Sequence, residues 1–193
     1  MAKIGLSKPF FAIYAADGTT VSYSGGGVLG KYTALDIELN NGDNKFYADN
    51  GVAETDDTFG GGTVTITTDD LRPAALLSAL GVISEAITGA GEGAAWLVNN
   101  DNQAIPFIGL GGIAKKKVDG EIKYVGIVLD KIQLRNPSES FVTQGETIEW
   151  QTSKLTGDIY RSDKPSHDWK RVTTLLDTEA AAEAAVKAYL GIA

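Results

Sequence analysis

Several residue groups in this chain have the types and spacing of known chemistry, and the sequence context of each decides whether that chemistry is available. Gly25-Gly26-Gly27-Val28-Leu29-Gly30-Lys31-Tyr32 carries the spacing of a phosphate-binding loop, in which backbone N–H groups and a lysine cradle phosphates. Tyr32 stands where a Ser or Thr hydroxyl would hold magnesium, and residues 32–39 have β character where the loop needs a helix N-terminus. Gly109-Leu110-Gly111-Gly112-Ile113-Ala114 fits the looser dinucleotide fingerprint, but residues 115–120 read as a turn, so a pyrophosphate would have no helix end to sit on. Both stretches therefore read as glycines in turns, bent strands or bulges.

Residues 43–54 span the length of a calcium loop, yet Lys45 and Ala48 replace a ligand and the required glycine. Asp56-Asp57 offers carboxylates for a weak cation site shared with another chain, against the plainer reading of a solvated acidic loop. His167-Asp168 resembles a base with its orienting acid, but adjacent side chains do not normally face each other and no Gly-x-Ser-x-Gly elbow accompanies them. With no Cys and one His, thiolate catalysis, Cys-ligated metals and multi-histidine sites are excluded within one chain. The 25 acids offer many carboxylate pairs for glycoside chemistry, and the spacing selects none. The expectation is a protein without catalytic residues, cofactor or metal.

The elements that would carry these residues are mostly strands. The chain has 193 residues, 43% hydrophobic and 22% charged with 23 glycines, which suits a single domain over 1–193. It lacks an apolar run of about 18 residues, so no membrane insertion is expected. Lys3 and Lys8 before residues 10–16 imitate a signal peptide, but Asp17-Gly18 cuts the run, which reads as a first strand and turn. Leu35, Ile37 and Leu39 alternate with Asp36 and Glu38, and Val64 and Ile66 alternate with threonines, as half-buried strands do. Residues 105–114 and 122–134 read as a hairpin across 115–120, with Asp119-Gly120 as turn residues, and a further strand pair is predicted within 141–160.

Two helices interrupt the strands. One is expected over about residues 71–80, with Asp69 or Asp70 as cap, Pro73 in its first turn and Gly81 past its end. The other is expected over residues 179–190, capped by Thr178. Without βαβ alternation, the pattern predicts a mainly β (α+β) fold, an antiparallel β-sandwich or small barrel with a flanking helix and a C-terminal helix.

Charge is unevenly distributed. The formal net charge is −8, and the first seventy residues hold ten acids against four bases. An acidic chain is a poor generic binder of nucleic acid, since phosphates are held mainly by Lys and Arg. Lys115-Lys116-Lys117 is the only basic run, read as a solvated hairpin tip or as a basic contact for the acidic face of a neighbouring copy.

The stretch 43–50, then Glu54-Thr55-Asp56-Asp57-Thr58-Phe59-Gly60-Gly61-Gly62, Thr63-Val64-Thr65-Ile66 and the helix start at Asp70-Leu71, resembles the major tail protein of long-tailed bacteriophages. It is similar to the tail tube subunit of non-contractile phages of Gram-positive hosts. The likeness extends to Ile4-Gly5-Leu6, to Phe11-Ala12-Ile13-Tyr14 and to the Ala-rich C-terminal helix, and it is strongest over about residues 30–81.

The resemblance implies a structural virion protein made in the host cytoplasm. Its homohexameric rings would stack into a tube through which double-stranded DNA passes without specific binding. It further implies tape measure, tail terminator and distal tail proteins as partners. Residues 40–62 would be an extended acidic loop reaching neighbouring subunits, with Phe46, Tyr47 and Phe59 as aromatic anchors, against ordinary core packing within one subunit for Tyr47 and Phe59, and Asp49, Glu54, Asp56 and Asp57 as acidic contacts. Asp36 and Glu38, on the polar face of their strand, are candidates for the lumen surface, against the outer wall of the tube. An acidic wall would repel phosphates within a Debye length, about 8–10 Å at ordinary salt.

Two readings from other classes remain. A monomeric β-sandwich binding module would recognise carbohydrate or protein through Trp96, Trp150 or Trp169, exposed and coplanar on a sheet face, whereas a tube subunit would bury most of them. A hydrolase finds no motif that survives its context. Within the tail reading, a tail terminator or the tube of a related injection apparatus shares the fold.

Overall fold

The computed structural model describes residues 2–41, 44–48, 51–56, 58–89, 91, 93–137, 142–143 and 151–193, with 44–48 and 51–56 as backbone. Its first strand, β1 (Ala2–Asp17), turns at Gly18-Thr19 into β2 (Thr20–Val28), Asp17 facing Thr20. Then come β3 (Tyr32–Asn41), β4 (Asn44–Ala48), β5 (Gly51–Asp56), β6 (Phe59–Thr68) and helix α1 (Pro73–Ala79). A small hairpin, β7 (Ile83–Ala86) and β8 (Ala95–Val98), precedes β9 (Phe107–Val118), β10 (Glu121–Leu134), β11 (Ser153–Tyr160), β12 (Lys170–Val172) and helix α2 (Glu179–Tyr189).

The main sheet is antiparallel throughout and runs β2-β1-β9-β10-β11-β6-β3, with β12 also on β10. Strand β10 serves two neighbours on its outer side, Lys131–Leu134 pairing with β11 and Ile127–Leu129 with β12. The sheet folds over on itself, so that Phe11 and Leu29 from one half meet Val64, Ile66, Leu155 and Ile159 from the other around Ile108, Leu110 and Leu129. Helix α1 closes this core with Ala75 and Ala79. The protein is thus mainly β, a sandwich-like antiparallel sheet with flanking helices.

Helix α2 lies on the outside of the same sheet, forming a second apolar cluster with Phe10, Ala12, Ile113 and Val128 through Ala182, Val186 and Leu190. Its seat explains the glycines that imitate a dinucleotide motif. A Cβ on Gly111 would fall 2.5 Å from Val186 Cγ1, and one on Gly126 2.8 Å from Val186 Cγ2, so only bare backbone admits the helix this closely. Thr178 caps α2 as expected, its Oγ1 accepting from the Ala181 N–H at 3.2 Å.

The first helix departs from expectation at its start. It begins at Pro73 with Arg72 in the capping position and no side-chain cap, because Asp69 and Asp70 are committed upstream. Asp69 Oδ1 accepts from the Lys31 and Asp70 N–H groups, and Asp70 Oδ1 from the Leu71 N–H. In the phosphate-loop look-alike, residues 25–28 close β2 and Tyr32 opens β3, so no helix follows.

Candidate assembly surface

Two hairpins carry most of the residues singled out from the sequence. The first is β3 with β6, where Leu35 and Ile37 turn to the core and Asp36 and Glu38 are exposed, opposite Thr65 and Thr63. The register shifts between Leu39 and Asn41, so that Asn41 faces Phe59; in the separate β4–β5 sheet Asn44 faces Asp56, Lys45 faces Thr55 and Phe46 faces Glu54. The register then shifts, and Tyr47 faces Val52. Much of the expected acidic loop is therefore strand, β4 and β5 pairing in a two-stranded sheet of their own. At five and six residues these strands are too short for alternation to stand out, and the Gly, Asn and Asp around them dominate the sequence signal. Of the expected loop residues, Phe46, Tyr47, Glu54 and Asp56 are placed by backbone on β4 and β5. Asp49 and Asp57 lie outside the described residues.

Phe59 takes a place different from that of a free anchor. Its ring stacks on Trp169 at 4.8 Å between centroids with 3° between planes, and its carbonyl accepts from Arg161. It is half-buried and packs against the core of its own chain, the alternative weighed for it from the sequence.

The second hairpin is β9 with β10. It turns at Asp119-Gly120, both at positive φ (51° and 91°), the conformation that a tight primed turn demands and that this dipeptide favours. Lys115, Lys116 and Lys117 are consequently not at a hairpin tip but inside β9, paired with β1 on one side and β10 on the other. Lys3 faces Lys116, and Lys116 faces Lys123, so three lysines stand side by side across three strands. Lys123 is compensated by Glu121 and Asp177, at 2.8 and 2.7 Å, which push its ammonium pKa up. Among the described residues, Lys3, Lys115, Lys116 and Lys117 make no ion pair, nor do Asp36 and Glu38.

Between α2 and the sheet lies a polar cluster that the sequence did not single out. The pairing of β10 with β9 shifts register between Leu129 and Ile132, which places Asp130 and Lys131 in a bulge. Asp130 is fully buried; Arg171 Nε donates to its Oδ2 at 3.2 Å, while Oδ1 has no hydrogen-bond partner among the described residues. Burial holds the Asp130 carboxyl above its ordinary pKa against the opposing Arg171 charge. Lys131 reaches Asp163 at 2.7 Å, and the Tyr14 hydroxyl donates to the same carboxylate at 2.8 Å, holding the Asp163 pKa down. Burial pushes the Tyr14 hydroxyl up to about 12. A signal was present: two consecutive charges between Leu129 and Ile132 break the alternation as an extra residue would.

The other look-alikes resolve differently. His167 is exposed and turns its Nδ1 to the Ser162 carbonyl at 3.2 Å, while Asp168 accepts from Ser166 and Arg171, so the two neighbours serve separate contacts. Trp96 is 64% exposed on β8, in a two-stranded sheet of its own, whereas Trp169 is half-buried against Phe59. The two are therefore not one aromatic platform, and Trp150 lies outside the described residues.

The fold and this surface define a β-sandwich-like protein with an outer helix and a separate two-stranded sheet, β4–β5, between β3 and β6 in the chain. Comparison with protein-family models returns no match, and comparison with curated proteins likewise returns none.

Proposed function

We propose that this chain is a structural, self-assembling subunit, the tail tube protein of a long-tailed bacteriophage, whose hexameric rings stack into a conduit for genomic DNA. The observation that carries the reading is the pair of open edges. The main sheet ends in β2 and β3, of 9 and 10 residues, and no described strand pairs with the outer side of either. Long free edges are templates for pairing with another chain, and a ring of subunits is one way to satisfy them. The resemblance of residues 30–81 to tail tube proteins supports the same reading.

On this reading Asp36 and Glu38 repel DNA phosphates if β3 faces the lumen, and tape measure, terminator and distal tail proteins meet the ends of the tube. A monomeric binding module has one observation in its favour, the exposed Trp96.

Light scattering and negative-stain microscopy of the purified chain, from low to high concentration, test the proposal. Rings or hollow tubes are the expected result. A monodisperse monomer at every concentration, with tryptophan emission shifted by added oligosaccharide, would replace it with the binding module.

A further inference from the structure

The lysines of β1, β9 and β10 form a ladder that works against the stability of a lone subunit. Lys3, Lys116 and Lys123 are direct cross-strand neighbours, and strands lie about 4.8 Å apart, so three cationic side chains leave the sheet within about 10 Å. Like charges directly opposite are destabilising. Among the described residues, Lys123 alone of the three is neutralised, by Glu121 and Asp177. Elsewhere in the same main sheet, β3 presents the complementary arrangement. Asp36 and Glu38 are exposed on one face, two residues apart and so separated by roughly 7 Å, with no ion-pair partner among the described residues.

We infer that Lys3 and Lys116 form a docking surface for a second copy of this chain, and that the β3 carboxylates Asp36 and Glu38 are what it receives. The contact is head-to-tail: one copy offers its acidic strand, the next its lysine ladder, and the interaction can propagate because the two surfaces are different patches of one molecule. Charge opposition selects this occupant, since two ladders or two acidic strands repel, leaving one productive pairing. The inference rests on the self-assembly reading above, but not on rings or tubes, and it takes the case in which Asp36 and Glu38 face a neighbouring copy instead of the lumen.

A two-variant mixing experiment tests it. Lys3→Glu/Lys116→Glu reverses the ladder, and Asp36→Lys/Glu38→Lys reverses the strand. Neither set removes a core side chain, and circular dichroism confirms that both variants fold. Sedimentation velocity at low salt is expected to show self-association weakened at least tenfold in each variant alone and restored when the two are mixed. In the mixture each reversed surface meets its complement.

Unchanged association of the single variants, or no recovery on mixing, would overturn the contact. If microscopy then still shows tubes, the tube reading survives without it. Recovery on mixing with neither rings nor tubes would keep the contact and remove the tube. A wild-type chain that stays monomeric at millimolar concentration would remove both. If the ladder variant loses salt-sensitive binding to a short DNA duplex while its self-association is untouched, the ladder's partner is nucleic acid and the inference fails.

Discussion

The β3–β6 hairpin and the β9–β10 hairpin are built alike and used differently. Each is rooted in the apolar core by alternating side chains, Leu35, Ile37, Val64 and Ile66 in one, Ile108, Leu110, Leu129 and Ile132 in the other. The second runs on past the core with Lys115, Lys116 and Lys117. The first carries carboxylates and stands at the edge of the sheet with one side unpaired. The second carries lysines and is central, flanked by β1 and by β11 and β12 and covered by α2. Both hairpins thus contribute to the core, but the central one is held on both sides whereas β3 has no described strand on its outer side.

That contrast can be broken most forcefully at the two roots. Leu110→Ala empties a fully buried site at the centre of the sheet and should cost about 2–5 kcal/mol in denaturant unfolding. Deletion of residues 44–57 should leave a folded subunit with a nearly unchanged midpoint, yet one that builds no long tubes. Full-length tubes from that deletion in electron micrographs would show that the β4–β5 sheet is not an assembly element.

Acid should strike the central region next. Asp163 and Glu183 have pKa values held below the ordinary carboxylate range, by Lys131 with Tyr14 and by Lys8 respectively. A depressed carboxylate contributes stability that is complete above its unfolded pKa and is lost as pH falls through the folded one. Melting temperature should therefore fall as pH drops below about 4, where unfolded carboxylates begin to titrate. Lys131→Met should flatten that fall. Asp130 opposes it in sign, because its raised pKa lets the folded state take up a proton first, so Asp130→Asn should steepen the acid loss.

Smaller effects sharpen the comparison. Thr178→Ala removes the cap of α2 and should cost about 1 kcal/mol by thermal unfolding, loosening the cover over β9 and β10. Lys116→Thr relieves the cross-strand repulsion with Lys3 and Lys123. A gain of roughly 0.2–1 kcal/mol at low salt is expected, shrinking as salt is added; no gain would mean that the ladder is not strained.

Much of the fold was legible because it rests on local rules. Alternation identified β3, β6 and most of β9 and β10, the Asp119-Gly120 pair identified their turn, and Thr178 with an alanine-rich stripe identified α2. Two misses are strands: β4 and β5 are short and set among Gly, Asn and Asp, so they looked like a loop, and Lys115–Lys117 looked like a hairpin tip because three lysines carry no alternation. The cap of α1 was misplaced because Asp69 and Asp70 compete for several nearby N–H groups, and the chain geometry at Lys31 settles which they take. Phe59 looked available for a partner until the fold brought Trp169, more than a hundred residues away, against its ring.

By itself the sequence determined that this is an acidic, mainly β chain with two helices, and where most of its strands, its main turn and its second helix fall. Those features depend on neighbours a few positions apart, whose spacing is written directly in the chain. Only the tertiary structure decided that Lys3 stands beside Lys116, that Asp130 is buried beside Arg171, and that bare glycines seat α2. Each of those outcomes is a matter of register between distant strands, and a shift of one residue in that register would turn every side chain to the other face.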